Sequence, residues 1–96
     1  YPEIVYGGVE APEGREFDIQ PIEIPPLQDL ISDKYKFYLG LSNDEIGYII
    51  PKSEWDTGKP YLYNDESDTY GEENSLGPET GPIIYKALTE VIKDLN

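Results

Sequence analysis

The chain has 96 residues and a formal net charge of -13, with 20 acidic residues against seven basic ones. This balance argues against nucleic acid as a partner, because binding phosphates requires clustered Lys and Arg side chains. An anionic membrane surface is disfavoured for the same reason. Purely apolar runs are only two or three residues long, so no transmembrane segment is expected. A chain of this length forms one compact unit at most.

Histidine and cysteine are both absent from the chain. Disulfides and thiolate metal sites are therefore excluded, and a Ser-His-Asp arrangement is impossible. Most catalytic zinc sites use at least one imidazole, so catalysis of that kind needs groups from other polypeptide. Nine tyrosines against two phenylalanines and one tryptophan indicate a half-buried wall, a cleft or an interface, since the ring packs while the hydroxyl needs a partner.

The N-terminal third combines short helical patterns with a proline-rich stretch. Residues 1–6 have the pattern of a last helical turn closed by two glycines, and residues 27–31 fit one helical turn. Between them, residues 9–26 are rich in Pro and Glu, and residues 17–25 alternate apolar and polar side chains. The alternation predicts an extended segment that the prolines confine to a sheet edge or a surface-hugging loop. Linker-like disorder is the alternative.

The middle of the chain carries the clearest strand pattern. Residues 34–41 are dense in aromatic side chains and predict a strand, with a central part at residues 36–41. Turn and helix-capping residues follow at once, at 42–45, and residues 46–51 fit either a short helix or a second strand. Residues 52–73 are polar and rich in turn-forming residues, which predicts a long loop carrying four large aromatic side chains.

The most regular pattern lies at the C-terminus, where apolar residues recur at helical spacing and form one stripe. Its members are Ile83, Ile84, Ala87, Leu88, Val91, Ile92 and Leu95. Thr80 or Gly81 can cap the start of this helix, and Pro82 is tolerated in its first turn. The sequence therefore predicts an α+β fold: a small fragment with a short mixed sheet, a proline-rich extended segment and a C-terminal amphipathic helix.

Three stretches carry side chains with binding chemistry. Residues 40–48 leave the predicted strand at its carboxyl end, a common location for sites in open α/β sheets, although a capped turn is the alternative. Residues 63–74 include five acidic residues that offer oxygen ligands to calcium. Their spacing is not the EF-hand pattern, and a solvated acidic loop is the alternative. Residues 77–82 resemble an anion-binding helix entrance, but two prolines and a glutamate favour simple helix initiation.

Several short motifs occur in an order shared with a known enzyme family. In chain order they are Gly40-Leu41-Ser42-Asn43, Gly47-Tyr48-Ile49, Tyr70 and Gly77-Pro78-x-Thr80. Together they resemble the end of the catalytic domain of the neutral/alkaline ceramidases, over about residues 35–88. Residues 1–3 also look like sequence that follows the Pro-Gly-Glu metal-ligand motif of this family.

The resemblance implies a zinc-dependent amide hydrolase that acts on ceramide, with one zinc held by two histidines, a glutamate and a tyrosine. Tyr48 matches the ligand tyrosine, and Tyr70 matches a catalytic tyrosine suited to hydrogen-bonding the developing oxyanion. The other ligands would lie upstream of Tyr1. Residues 1–96 are then expected to be a single C-terminal fragment, inactive alone, whose partners are the remainder of the parent chain and a lipid amide substrate. The family also suggests an extracellular or cell-envelope location.

Other interpretations stay open at this point. A related hydrolase acting on another amide or ester would carry the same motifs, and Tyr48 taken alone fits a packed core residue equally well. An acidic interaction or calcium-binding module without catalytic activity would use residues 65–73. A purely structural domain would turn its tyrosines toward a partner.

Overall fold

The structure is a computed structural model that describes residues 2–6, 22–55 and 70–96. In these ranges the chain forms four α-helices and one 3₁₀ turn. They are α1 (Pro2–Tyr6), α2 (Leu27–Leu30), the 3₁₀ turn (Lys52–Glu54), α3 (Tyr70–Glu73) and α4 (Thr80–Leu95). Helix α2 packs against both α1 and α4. None of the described helices combines the length and apolar character needed to cross a bilayer.

The helices predicted near residues 1–6 and 27–31 and at the C-terminus are confirmed. Helix α4 begins at Thr80, directly after Glu79. Two backbone hydrogen bonds form its start. The N–H of Thr80 donates to the carbonyl of Gly77 (3.1 Å), and the N–H of Ile83 donates to the carbonyl of Glu79 (3.0 Å). Pro82 lies in the first turn, where an N–H has no intrahelical partner anyway. The predicted glycine closure of α1 and most of the predicted proline-rich extended segment lie outside the described residues.

The predicted short mixed sheet is wrong, because the described ranges contain no strand and the fold there is helical with loops. Residues 36–39, the centre of the predicted main strand, do run without helix, turn or bend. The chain then turns at Gly40 and Leu41, and Leu41 has a φ of 55° in the left-handed region. A strand needs a neighbour for its backbone groups as well as suitable side chains. No described segment provides that neighbour.

The apolar core of the described residues is small. Ile4, Leu27 and Tyr85, from α1, α2 and α4, form one buried cluster. Partly buried apolar residues pack against it: Leu30, Tyr38, Ile49 and Ile92. The predicted apolar stripe of α4 is largely uncovered, since Ile83, Val91 and Leu95 are exposed. The helix therefore contributes only Tyr85 and Ile92 to this apolar cluster.

The buried carboxylate of Glu23 contacts two later parts of the chain, the 3₁₀ turn and α4. Glu23 is buried, and its Oε1 accepts the backbone N–H of Lys52 at 3.2 Å. A Cβ atom placed on Gly81 in α4 would lie 2.9 Å from the same oxygen and 2.6 Å from the carbonyl oxygen of Ile50. These separations are too short for a carbon atom, so only glycine allows α4 to approach the two segments this closely.

Two tyrosine hydroxyls near the core have opposite surroundings. The Tyr85 hydroxyl donates to the carbonyl of Pro25 at 2.5 Å, and burial, followed by the nearby Glu23 carboxylate, raises the pKa of Tyr85. The Tyr38 hydroxyl is buried without a hydrogen-bond partner among the described residues. Burial is also the main reason why the pKa of Tyr38 is raised, with smaller contributions from Tyr6 and Asp29.

We expect Gly81→Ala to destabilise the fold although the residue is helical. Helix propensity alone would favour Ala by about 1 kcal/mol, whereas forcing a methyl group against the carbonyl of Ile50 costs about 1–3 kcal/mol. Urea unfolding followed by circular dichroism measures the net change. The control is Gly40→Ala, where no described atom lies within 4 Å of the added carbon. Equal stability of the two variants would contradict the close approach of α4.

We expect Tyr85→Phe and Tyr38→Phe to differ. Tyr85→Phe removes a made hydrogen bond and should lower the free energy of unfolding by about 0.5–1.5 kcal/mol. Tyr38→Phe removes a hydroxyl that has no partner within the described chain, and should leave the stability unchanged or raise it.

The same two tyrosines predict a loss of stability at alkaline pH. Folding raises both pKa values, so the folded chain binds the phenolic protons more tightly than the unfolded chain does. This stabilisation is fully present below about pH 10 and is lost as the pH rises through the folded-state pKa values. Urea unfolding across this range should show a decline that is smaller in the double Phe variant. An identical decline would contradict the assignment.

Candidate functional site

The two tyrosines singled out from the sequence, Tyr48 and Tyr70, lie against each other. Their ring centroids are 5.8 Å apart with an interplanar angle of 71°, which is a favoured edge-to-face geometry. Tyr48 is 43% exposed and Tyr70 is 62% exposed. The pair therefore lies at the surface rather than in the core. The structure brings together the residue expected to bind zinc and the residue expected to bind the oxyanion.

Asn74 connects the two segments that carry these tyrosines. Its backbone carbonyl accepts the N–H of Tyr48 at 2.8 Å, and its side-chain amide donates to the carbonyl of Tyr70 at 2.8 Å. Its own N–H is shared between the carbonyls of Tyr70 and Gly71, both at 3.2 Å. Asn74 thus closes α3 and holds Tyr48 beside it. One weak signal in the sequence points to this role, because Asn is common just after a helix.

Gly47 is required for the approach of Tyr48 to Asn74. Its φ is 88°. This backbone conformation is strained for any residue that has a Cβ atom. A Cβ atom at this position would also overlap the carbonyl oxygen of Asn74. The glycine in the Gly47-Tyr48-Ile49 motif therefore has a structural reason that is independent of any enzyme family.

The polar residues before Gly47 make local contacts. The Ser42 hydroxyl donates to the carbonyl of Leu39 at 3.3 Å, and the N–H of Glu45 donates to Oδ1 of Asp44 at 2.8 Å. These are the short-range bonds of turn-forming residues. Among residues 40–48, only Tyr48 belongs to the tyrosine pair, while the chain turns at Gly40 and Leu41 and bends at Ser42 and Asn43.

The other two candidate stretches contribute less to the site. Of the five acidic residues proposed for calcium, Asp65, Glu66 and Asp68 lie outside the described residues, while Glu72 and Glu73 lie on α3. The entrance of α4 faces the Glu23 carboxylate and carries Glu79, which forms an ion pair with Lys52. Carboxylates at that position repel a second anion, so simple helix initiation is the better interpretation of residues 77–82.

The zinc expected from the resemblance can be tested against the donor atoms at this surface. Tyr48 has a partly exposed ring, and its phenolic oxygen fits the part of a single ligand. In the ranges that the structure covers, no three His, Cys, Asp or Glu residues converge in a way that could hold a metal ion. The chain contains no imidazole and no thiolate. Within the described residues Tyr48 is thus one donor without a cluster of further ligands around it, and the zinc site stays a prediction.

Comparison of the chain with protein-family models, curated proteins and solved structures finds no match in any of the three.

We expect Gly47→Ala to separate the two tyrosine rings. The substitution combines backbone strain with an overlap of the new methyl group and the Asn74 carbonyl. Nuclear Overhauser contacts between the Tyr48 and Tyr70 rings measure the separation directly and should disappear.

Gly77→Ala is the matched control for this experiment. Gly77 also has a positive φ, 127°, but no described atom lies within 4 Å of the added carbon. The control should lose about 1–2 kcal/mol of stability from strain and keep the contacts between the rings. Ring contacts that persist in Gly47→Ala would contradict the role of the glycine.

Proposed function

We propose that this chain is the C-terminal part of a zinc-dependent amide hydrolase of the neutral/alkaline ceramidase type. In this proposal Tyr48 is a zinc ligand, and Tyr70 donates a hydrogen bond to the oxyanion that forms from the substrate carbonyl. The observation that supports it most is the 5.8 Å ring contact between the two residues. A metal ligand and an oxyanion donor must act on the same carbonyl group, so they have to lie side by side.

Each tyrosine has a distinct part in the proposed chemistry. Zinc in such a site polarises the amide carbonyl and brings the pKa of its bound water to about 7. The Tyr48 oxygen would serve as an anionic ligand, a form that the charge of a divalent cation favours. The Tyr70 hydroxyl would donate to oxygen charge that appears only in the transition state, so its effect would fall on the chemical step.

The arrangement around the pair suits these roles. Asn74 fixes the backbone of Tyr48 and the carbonyl of Tyr70 at once, so the spacing of the rings does not depend on side-chain packing alone. Such preorganisation is what an oxyanion donor requires, because a group that has to move into place gives up part of its effect. Both rings are also exposed enough to meet a substrate.

The proposal requires polypeptide that supplies the remaining ligands. Catalytic zinc sites use about three protein ligands besides water, and this chain has no histidine to contribute. Large apolar side chains lie uncovered on the described surface. The most exposed are Tyr35, Phe37, Leu39, Leu41, Leu76 and Leu95. Packing against a larger parent protein would remove these side chains from water. A lipid amide substrate and an extracellular or cell-envelope location belong to the same proposal.

We expect Tyr48→Phe and Tyr70→Phe to affect different quantities in the parent enzyme. Tyr48→Phe removes a ligand and should lower the zinc content measured by elemental analysis. Tyr70→Phe should keep the zinc content and KM while lowering kcat by about 10²–10³-fold, the usual effect of losing one oxyanion donor. Hydrolysis of a fluorogenic N-acyl amide provides the rate.

Tyr6→Phe is the matched control, because Tyr6 and Tyr38 also pair edge-to-face, with centroids 5.8 Å apart at 72°. This variant should change neither the zinc content nor kcat. A normal zinc content in Tyr48→Phe, or a full kcat in Tyr70→Phe, would refute the corresponding role.

Metal titrations of the 96-residue chain by itself separate the hydrolase from the calcium-binding alternative. Because the proposal assigns one zinc ligand to this chain, we expect no saturable zinc binding by tyrosine fluorescence. Saturable binding of calcium at millimolar concentration, as for weak extracellular calcium sites with dissociation constants of roughly 10⁻⁴–10⁻³ M, would favour the acidic calcium-binding module instead.

A further inference from the structure

We propose that Asn74 is a positioning residue for the oxyanion donor. Its side-chain amide holds Tyr70 at the place from which the phenolic hydroxyl donates, while its backbone carbonyl holds Tyr48 alongside. This inference rests on the proposed function, because it takes the roles of the two tyrosines from there. It adds a residue that acts on the reaction through Tyr70.

Helix α3, which carries Tyr70, has little else to fix it. The helix is four residues long, from Tyr70 to Glu73, and none of its residues is buried. Helices this short are not stable in water by themselves, because forming the first turn is unfavourable. The Tyr70 side chain is 62% exposed, so the apolar core does not hold it either. The position of Tyr70 therefore depends on the hydrogen bonds just after the helix and on the contact with the Tyr48 ring.

Asn74 makes most of these hydrogen bonds. Its Nδ2 donates to the carbonyl of Tyr70 at 2.8 Å, and its N–H donates to the carbonyls of Tyr70 and Gly71, both at 3.2 Å. One further bond, from the N–H of Ser75 to the carbonyl of Glu72 at 3.3 Å, belongs to the same turn. The Tyr70 carbonyl thus accepts two hydrogen bonds from one residue, and the shorter of them comes from the side chain.

The two tyrosines are held by different groups of Asn74. The N–H of Tyr48 donates to the backbone carbonyl of Asn74 at 2.8 Å, a bond that requires no particular side chain. The bond to Tyr70 requires the amide. Aspartate has nearly the shape of asparagine, but its carboxylate only accepts hydrogen bonds. Asn74→Asp therefore replaces the donor to Tyr70 with an oxygen that repels the carbonyl, and keeps the acceptor for Tyr48.

A displaced Tyr70 should slow the chemical step rather than weaken substrate binding. An oxyanion donor is effective only within hydrogen-bond distance of the position that the oxyanion takes up. A shift of about 1 Å in such a group can lower the rate by about 10²-fold. If Asn74 acts through Tyr70, its loss costs no more than the loss of the Tyr70 hydroxyl itself.

A double-mutant cycle in the parent enzyme tests this role. We expect Asn74→Asp to lower kcat by about tenfold or more, with KM and zinc content unchanged. In the Tyr70→Phe background the same substitution should cause no further loss, because the hydroxyl that Asn74 positions is already absent. In the 96-residue chain, the nuclear Overhauser contacts between the Tyr48 and Tyr70 rings should weaken in Asn74→Asp. This second measurement does not depend on activity.

Asn96→Asp is the matched control. The Nδ2 of Asn96 also donates to a backbone carbonyl, that of Leu30, at 3.1 Å. The control therefore removes the same kind of hydrogen bond at the far end of α4. It should leave both kcat and the contacts between the Tyr48 and Tyr70 rings unchanged.

The possible failures of this inference and of the proposed function are distinct. If Asn74→Asp lowers kcat by the same factor with and without the Tyr70 hydroxyl, Asn74 acts by general destabilisation and the positioning role is refuted. A full kcat or intact ring contacts in Asn74→Asp, together with a lowered kcat in Tyr70→Phe, would also refute it and leave the proposed function standing. A full kcat in Tyr70→Phe would refute the proposed function, and Asn74 would then have no oxyanion donor to position.

Discussion

The approach of α4 to the buried carboxylate of Glu23 is the constraint on which the rest of the described structure depends. A buried carboxylate is costly unless hydrogen bonds and favourable charge replace its water. Here the N–H of Lys52 donates to its Oε1, whereas its Oε2 is buried without a hydrogen-bond partner among the described residues. Gly81, the second residue of α4, brings the partial positive charge of the helix N-terminus beside the carboxylate. One turn later Tyr85 donates to the carbonyl of Pro25. Two successive contacts thus fasten residues 23–25 along the helix.

The tyrosine pair lies close in the chain to this contact of α4. Ile50 meets Gly81 of α4, while Tyr48, two residues earlier, bonds Asn74 before the helix begins. The segment around residues 48–50 is therefore held at two places against the chain that leads into α4. The segment that carries Tyr48 thus contacts α4 two residues beyond the tyrosine pair.

The sequence predicted part of the local structure and missed most of what depends on distant contacts. Within the predicted loop at residues 52–73, it missed the 3₁₀ turn at Lys52–Glu54 and helix α3. Helical spacing identified α4, but it could not show that Ile83, Val91 and Leu95 remain exposed, because spacing does not reveal what covers a face. The strand pattern at residues 34–41 was wrong about a sheet, since pairing depends on a second strand elsewhere, and only residues 36–39 run without helix, turn or bend. Tyr48 and Tyr70 were singled out by resemblance. Their contact depends on Asn74, far from Tyr48 in sequence, which no local pattern identifies.

The distribution of polar and apolar side chains gives a last argument about the kind of unit this chain forms. Burial of apolar surface is the main favourable term in folding, yet Glu23, Ser53 and Glu54 are buried while Phe37 and Leu39 lie in water. Water around these apolar groups is a cost that packing against further polypeptide would remove. The acidic net charge opposes self-association, because two copies of the chain repel each other. Neutral or basic proteins are not repelled in this way. Exposed apolar groups and high net charge together favour a specific foreign partner over aggregation.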